Sequence, residues 1–390
     1  MAHTADAVVI GGGVMGASVA FHLARRGFGH VQVLERETLC AGSTGRSVAS
    51  VDLLAQQPSV AALQVRSLRA FQQARELYGD ECGWVQTGMA LLAGADSADG
   101  VRDVVRVMSA AGGCIELLSP QAFRALEPAC VCDEAEVISW APEGGYVDPV
   151  LLTNTLMNAA RAHGVTLHQS EPVLELLRAG DRVTGVRTPT REIAAPIVVV
   201  AAGPWTADFL RPAGIELSLR PNRHEVALLA CPSAASPRIS ILDFVHMLYA
   251  RPETGGLTVC GSLDLTMGYE WIEAGADCPA PSMEYGMWVW ERMVARYPGM
   301  ERGELRKGWS GPVTMSPDNQ PLLGRLPFDG LFCACGFSGA GLKIAPAVGE
   351  RLADLIAGEA AAVEALHPLR PTRFAEGQPL HNRYTWGSLG

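Results

Sequence analysis

Residues 6–16 read DAVVIGGGVMG, and about twenty residues further on the chain reads VQVLERE at 31–37. Ala7, Val8, Val9 and Ile10 form a short apolar run that ends in Gly11, Gly13 and Gly16, and a helical stretch follows to Arg26. A second apolar strand, Val31 to Leu34, then delivers Glu35. Each glycine has a physical reason. Gly11 permits a tight strand-to-helix turn, Gly13 lets a pyrophosphate approach the backbone, and Gly16 lets the helix pack closely on the strand. The helix N-terminus thereby faces an anion. Glu35 is placed to accept hydrogen bonds from the ribose hydroxyls of an adenine nucleotide. Val14, Met15 and Arg36, the neighbours of these positions, join the candidate cofactor-binding set.

The chain has 390 residues, enough for two domains with substantial cores. Its 48% apolar and 18% charged residues describe an ordinary globular protein. A net charge of −10 argues against a nucleic-acid partner and against attraction to anionic lipid. No run of apolar residues is long enough to span a membrane. The sequence enters its first buried strand within a few residues of Met1, which leaves no room for a cleavable leader, so a cytoplasmic location is expected. Ten cysteines include no CxxC pair, and the two CxC pairs (Cys130/Cys132 and Cys333/Cys335) have no metal-ligand spacing around them. They read as buried apolar thiols, and no metal site is expected. Only two lysines occur, Lys307 and Lys343, which makes the place of each worth following.

The pattern along the chain is discontinuous. After the βαβ start comes a polar loop, AGSTGRSVAS (41–50), then helical stretches at 60–78 and 98–111 around a strand at 88–92. Gly144, Gly145 and Pro149 mark a crossing point, and Asp148 is a plausible N-cap for a helix over 150–163. Strands follow at 166–169, 173–177 and 183–188, then 197–201, an uninterrupted apolar strand of the buried parallel type. From 217 to 313 the chain reads as alternating strands with one helix, 285–297, carrying Trp288 and Trp290. Parallel-sheet character returns at 331–358, where a strand runs into a second glycine-rich turn and a helix. The fold class is α/β, with α+β character in the second domain. A Rossmann-like nucleotide domain (1–80, 145–215 and 318–362) is interleaved with a mostly antiparallel substrate domain (81–144 and 216–317), and 363–390 form an irregular arm.

Taken together, DAVVIGGGVMG with LERE, AGSTGRSVAS, GGYVDP (144–149), VVVAAGPW (198–205) and CGFSGAGLKIAPAVGERLADLI (335–356) resemble the D-amino-acid oxidase/sarcosine oxidase superfamily. Within it the sarcosine oxidase β-subunit and glycine oxidase-like branch is nearest in pattern. A nicotinamide dehydrogenase would need only the first of these motifs. The resemblance implies FAD as cofactor. Ser43, Thr44, Arg46 and Ser47 follow the ribose-binding strand by one loop, which suits hydroxyl donors to the pyrophosphate and a cation near the flavin. Val173 falls on a strand that lends backbone contacts to adenine in the family, and Ala202, Gly203 and Trp205 end the strand that passes close to the cofactor. Gly336, Ser338, Gly339, Gly341, Leu342 and Lys343 form a turn and helix start aimed at the pyrimidine edge of the flavin, where a helix dipole favours negative charge.

The reaction implied is oxidation of a C–N bond of an amino acid or N-alkyl amino acid by hydride transfer to flavin, giving an imine that hydrolyses. Oxygen or a partner electron acceptor would reoxidise the flavin. Two other readings stay open: a catalytic flavoprotein subunit of a multi-subunit dehydrogenase, hence a possible hetero-oligomer, and a 2-hydroxy-acid oxidoreductase. Lys343 and Arg46 occupy the places where similar enzymes hold cations against a substrate carboxylate. The competing readings are a helix-surface lysine and a phosphate-binding or structural arginine. Arg223 and Tyr249 are the further catalytic candidates, with His224 and His246 on the same predicted strands. Family members that attach flavin covalently use a histidine after the AGST loop or a cysteine before a PD motif. Here Arg46 and GWSGPVTMSPD (308–318) stand there, so the FAD is expected to be non-covalent. Thr258 is read at the place where some relatives carry a lysine over the flavin, which counts against direct oxidase activity.

Overall fold

The computed structural model describes residues 3–232 and 234–383. Its centre is a six-stranded sheet in the order Thr166–His168, Val31–Leu34, Ala7–Ile10, Val198–Val200, Leu331–Cys335 and Leu322–Arg325. The first five run parallel and the last antiparallel. Every residue of Ala7–Ile10, Val31–Leu34, Val198–Val200 and Leu331–Cys335 is buried. That explains the uninterrupted apolar runs, since a strand covered on both faces has no polar side to show. The helices Val14–Arg25, Pro149–Ala162 and Gly341–Ile356 pack together on one face. Gly349 allows that contact, because a Cβ there would overlap Ser18, whose hydroxyl donates to the Ala345 carbonyl at 2.8 Å. Asp148 caps its helix as expected, accepting from the amides of Val150 and Leu151 at 2.9 and 2.8 Å.

The second large sheet takes strands from both expected inserts. Met89–Ala93, Glu116–Leu118 and Val137–Ala141 join Arg220–Ala230, Ser240–Asp243, Leu248–Glu253, Leu257–Ser262, Tyr269–Trp271 and Glu304–Met315. Leu91 and Leu263 pack into the core shared with the helices above, while Leu92, Ala250 and Cys260 face a separate core under the helix Met283–Arg296. The sheet therefore has one face toward the parallel sheet and one toward its own helix. Where the chain crosses between the two, Ser50–Val51, Val85–Gln86 and Gly145–Tyr146 pair into a small three-stranded sheet. We propose that the two large sheets are the cores of the interleaved nucleotide and substrate domains.

Three expectations change. The helix expected over 60–78 is two helices, Pro58–Gln72 and Ala74–Tyr78, separated at Gln73. The long strand Glu304–Met315 was not foreseen; Gly308, Gly311 and Pro312 obscure its alternation. The tail after 360 is not irregular over its described part. Ala360–Leu366 is a helix, and the fully buried Arg373 donates to both Asp318 carboxylate oxygens at 2.8 and 2.7 Å. That ion pair anchors the tail against the loop before Leu322–Arg325; positions 384–390 lie outside the described residues.

His22 is buried in the helix Val14–Arg25, and burial lowers its pKa to about 4. A folded-state pKa below the ordinary value of 6.5 means that the unfolded chain binds the proton first as pH falls. Stability is then lost progressively from about pH 6.5 down to about 4. Urea unfolding at pH 7 and pH 5 is expected to show a decrease of roughly 2 kcal/mol from this residue. That component disappears in His22→Leu.

Candidate active site

The cradle is built by the first strand and helix. Gly11 has a φ of +113°, and a Cβ on it would collide with the Ala201 carbonyl oxygen on the adjacent strand. A Cβ on Gly16 would collide with the Gly11 carbonyl oxygen. The crossing of strand and helix is therefore backbone against backbone. Glu35 is fixed by two amides, Gly12 to Oε2 at 2.6 Å and Glu37 to Oε1 at 2.8 Å. Each carboxylate oxygen still has a lone pair to offer a ribose hydroxyl. The helix Val14–Arg25 has no side-chain cap at Gly13 and no acid in its first turn, so its leading amides are directed at the cavity. Thr44 Oγ1 accepts from the Val14 amide at 3.1 Å, and the buried Ser43 Oγ has no hydrogen-bond partner.

A second turn mirrors the first. Gly336, Ser338 and Gly339 have φ values of 66°, 48° and 92°, and the helix Gly341–Ile356 that follows has no side-chain cap at Ala340. Ser338 Oγ accepts from the Ser316 amide at 3.0 Å, so this hydroxyl holds the turn in place.

Between the cradle and the second large sheet lies a cavity of about 670 Å³. That volume suits a large organic cofactor with a small substrate. Uncapped helix amides, the unpartnered Ser43 hydroxyl and the glycine crossing all fit a dinucleotide's pyrophosphate at one end. At the adenosine end Glu35 and Arg36 line the wall, and the Arg36 guanidinium lies 4.5 Å over the Trp205 ring. Gly13, Val14, Met15, Ser47, Val173, Ala202, Gly203, Gly341 and Leu342 line the cavity as well. Val173 does so from the loop before Glu175–Ala179 rather than from a strand.

The far end is lined by Arg46, Asp52, His224, Tyr249, Tyr269 and Lys343, with Met89, Ile241 and Leu263 as apolar wall. Burial lowers the His224 pKa to about 4, so its imidazole is neutral near pH 7; its Nε2 has no partner, and its ring meets Tyr269 edge-on at 4.4 Å. Burial likewise holds the Tyr249 phenol well above its ordinary pKa. The Arg46 stem lies over Gly311, and its guanidinium donates to the backbone carbonyls of Ala41 and, at 3.1 Å, Gly42. It forms no ion pair among the described residues. Lys343 is only 8% exposed, so it is not a helix-surface lysine; its ammonium is bonded to the carboxylate of Asp52, itself 4% exposed.

Several candidates stand outside this cavity. Gly16 serves the strand–helix crossing. Arg223 precedes the cavity-facing His224 on the same strand, so it projects to the opposite face and pairs with Glu270. Thr258 likewise faces away from the cavity, in register with Pro252, while Gly261 lies against Tyr249. His246 donates its amide to Asp243 at 3.0 Å, and Trp288 and Trp290 pack on the second core. The sequence reading missed Asp52, Tyr269, Met89 and Ile241. Asp52 left one faint signal, a lone acid inside the apolar stretch SVDLL.

Fold and cavity together define a dinucleotide-binding α/β protein whose cavity is closed on its other side by a separate, mostly antiparallel sheet. Residues 6–355 match the FAD dependent oxidoreductase family, and the chain belongs to it. It is 28% identical to human mitochondrial sarcosine dehydrogenase over 365 residues, covering 90% of this chain and 40% of that protein. The chain thus spans less than half the length of the first curated relatives it matches. Glycine oxidase from Geobacillus kaustophilus is 27% identical, with 96% of this chain and 98% of that one covered. Among solved structures, L-proline dehydrogenase from P. horikoshii superposes with a TM-score of 0.88 at 25% identity, covering 97% of this chain and 100% of that one. Among the described residues no helix is long and apolar enough to cross a membrane.

Gly11 and Gly13 should separate fold from cofactor binding. Gly11→Ala forces backbone groups apart at a positive φ, so it is expected to cost at least about 2 kcal/mol and to abolish flavin retention. Gly13→Ala meets only the Thr44 hydroxyl in the protein itself, so it should unfold like wild type yet hold flavin at least ten-fold more weakly. Urea unfolding and the absorbance of the purified proteins check both.

Proposed function

We propose that this protein oxidises a C–N bond of a small amino acid or N-alkyl amino acid, with FAD bound non-covalently as the hydride acceptor. The observation that carries this reading is one continuous cavity, with an anion-binding dinucleotide cradle at one end and Arg46, Lys343, Tyr249 and His224 around its other end. Relatives named sarcosine dehydrogenase, dimethylglycine dehydrogenase and glycine oxidase, and a solved structure named L-proline dehydrogenase, support the same bond type.

In such a reaction FAD, held by the Gly11–Gly13 turn, Ser43 and Glu35, would supply the hydride acceptor for the carbon beside nitrogen, and water would convert the resulting iminium to a carbonyl compound and an amine. The chain's own groups have simpler tasks. Arg46 offers a fixed cation to the substrate carboxylate. The neutral His224 imidazole and the protonated Tyr249 phenol orient a polar substrate without adding charge. Met89, Ile241 and Leu263 keep water from the reacting carbon. The uncapped start of Gly341–Ile356 favours negative charge where the cofactor is reduced. Ten free thiols support a reducing compartment such as the cytoplasm.

Anaerobic mixing of the purified holoprotein with glycine, sarcosine, N,N-dimethylglycine and proline tests the reading. At least one should bleach the flavin band near about 450 nm. Subsequent air exposure distinguishes an oxidase, which recovers the band within seconds, from a dehydrogenase that needs a partner acceptor. Arg46→Met should raise the concentration for half-maximal bleaching by at least ten-fold, in keeping with the loss of a charged hydrogen bond. A flavin reduced by dithionite but by no amine in a broad panel would overturn the assignment.

A further inference from the structure

Three cations line the cavity, and they are not equivalent. Arg36 lies over the Trp205 ring at the adenosine end. Arg46 donates to backbone carbonyls, which leaves its positive charge uncompensated. Lys343 is bonded to a carboxylate that the protein supplies itself, that of Asp52. Both members of this pair are nearly inaccessible, and both border the cavity. Neither is on a loose element. Lys343 sits in the first turn of Gly341–Ile356, and Asp52 directly follows Ser50–Val51, which pairs with Gly145–Tyr146.

We infer that Asp52 is a specificity-determining residue: its carboxylate occupies the Lys343 ammonium, so a substrate carboxylate is bound at Arg46 and ligands presenting an anion to Lys343 are disfavoured. This rests on the proposed reading of the cavity as an amine-oxidation site. The physical argument is local. A substrate carboxylate brought to Lys343 must share one ammonium with Asp52, and two carboxylates on one cation repel each other in a poorly hydrated site. Removing the Asp52 charge turns a neutral pair into a net cation facing the cavity. Binding of anions should then rise, and binding of neutral analogues of the same shape should not. The apolar wall of Met89, Ile241 and Leu263 admits a small aromatic probe.

Benzoate and benzamide supply that comparison, titrated into the holoprotein by isothermal calorimetry. In Asp52→Asn, benzoate is expected to bind at least ten-fold more tightly than to wild type, while benzamide changes by less than three-fold. An unchanged benzoate affinity, or an equal change for both probes, overturns the proposal. The double variant Asp52→Asn/Lys343→Gln replaces the pair by two neutral groups and guards against misfolding of the single one. There benzoate should bind within three-fold of wild type, because Arg46 remains; a loss of ten-fold or more would make Lys343 the carboxylate anchor and also overturn the proposal. Because calorimetry reads binding rather than turnover, a protein that oxidised no amine would still report on Asp52, and the two readings fail separately.

Discussion

The contact on which the rest of the structure depends is the backbone crossing at Gly11. The Gly11 carbonyl lies against Gly16, and the Gly11 Cα faces the Ala201 carbonyl of the neighbouring strand. No side chain fits between these three points. The first helix can therefore descend directly from the first strand, and apart from Val14, whose amide is bonded to Thr44, its leading amides are left open to the cavity instead of being satisfied by an N-cap side chain. From that crossing follow the position of Glu35, held by the Gly12 amide, and of Thr44, which accepts from the Val14 amide. Main-chain geometry thus builds the cradle, and side chains only refine it.

The other end of the cavity is governed by charge balance. An uncompensated charge in a confined site is costly, and Lys343 is buried almost completely. Asp52 answers that cost within the protein, whereas Arg46 stays exposed and donates to the Ala41 and Gly42 carbonyls. Two cations that look alike in a list of candidate residues therefore differ in what they can do. One is already neutralised, and the other can still be given a partner.

How much of this was legible in the sequence follows from the length scale of each signal. Strand, turn and helix at 6–26 are specified within one continuous stretch, as are the buried parallel strands and the Asp148 cap, because both faces or the whole turn are local. Facing was harder. Arg223 and His224 are adjacent, and only the pairing of Arg220–Ala230 with Glu304–Met315 and Leu257–Ser262 decides which of them meets the cavity. Thr258 was misplaced for the same reason, since a strand presents alternate residues to opposite faces. The Asp52–Lys343 bond joins residues 291 positions apart, so nothing near either one announces it.

This division also bears on how one architecture serves relatives with different named substrates. The cradle comes from short segments whose residues are constrained by backbone contact, and substituting them disturbs the crossing itself. The wall opposite the cradle draws single side chains from separate strands: Met89, His224, Ile241, Tyr249 and Tyr269. Each projects from a strand whose hydrogen bonds do not depend on that side chain, so the wall can change one position at a time without moving the cofactor cradle. Asp52 lies at the junction of the two regimes. It directly follows the short strand Ser50–Val51 at the crossing between the sheets, yet its carboxylate is bonded to Lys343 at the cavity. A single acid at that junction is therefore able to reset the charge of the cavity while both sheets stay as they are.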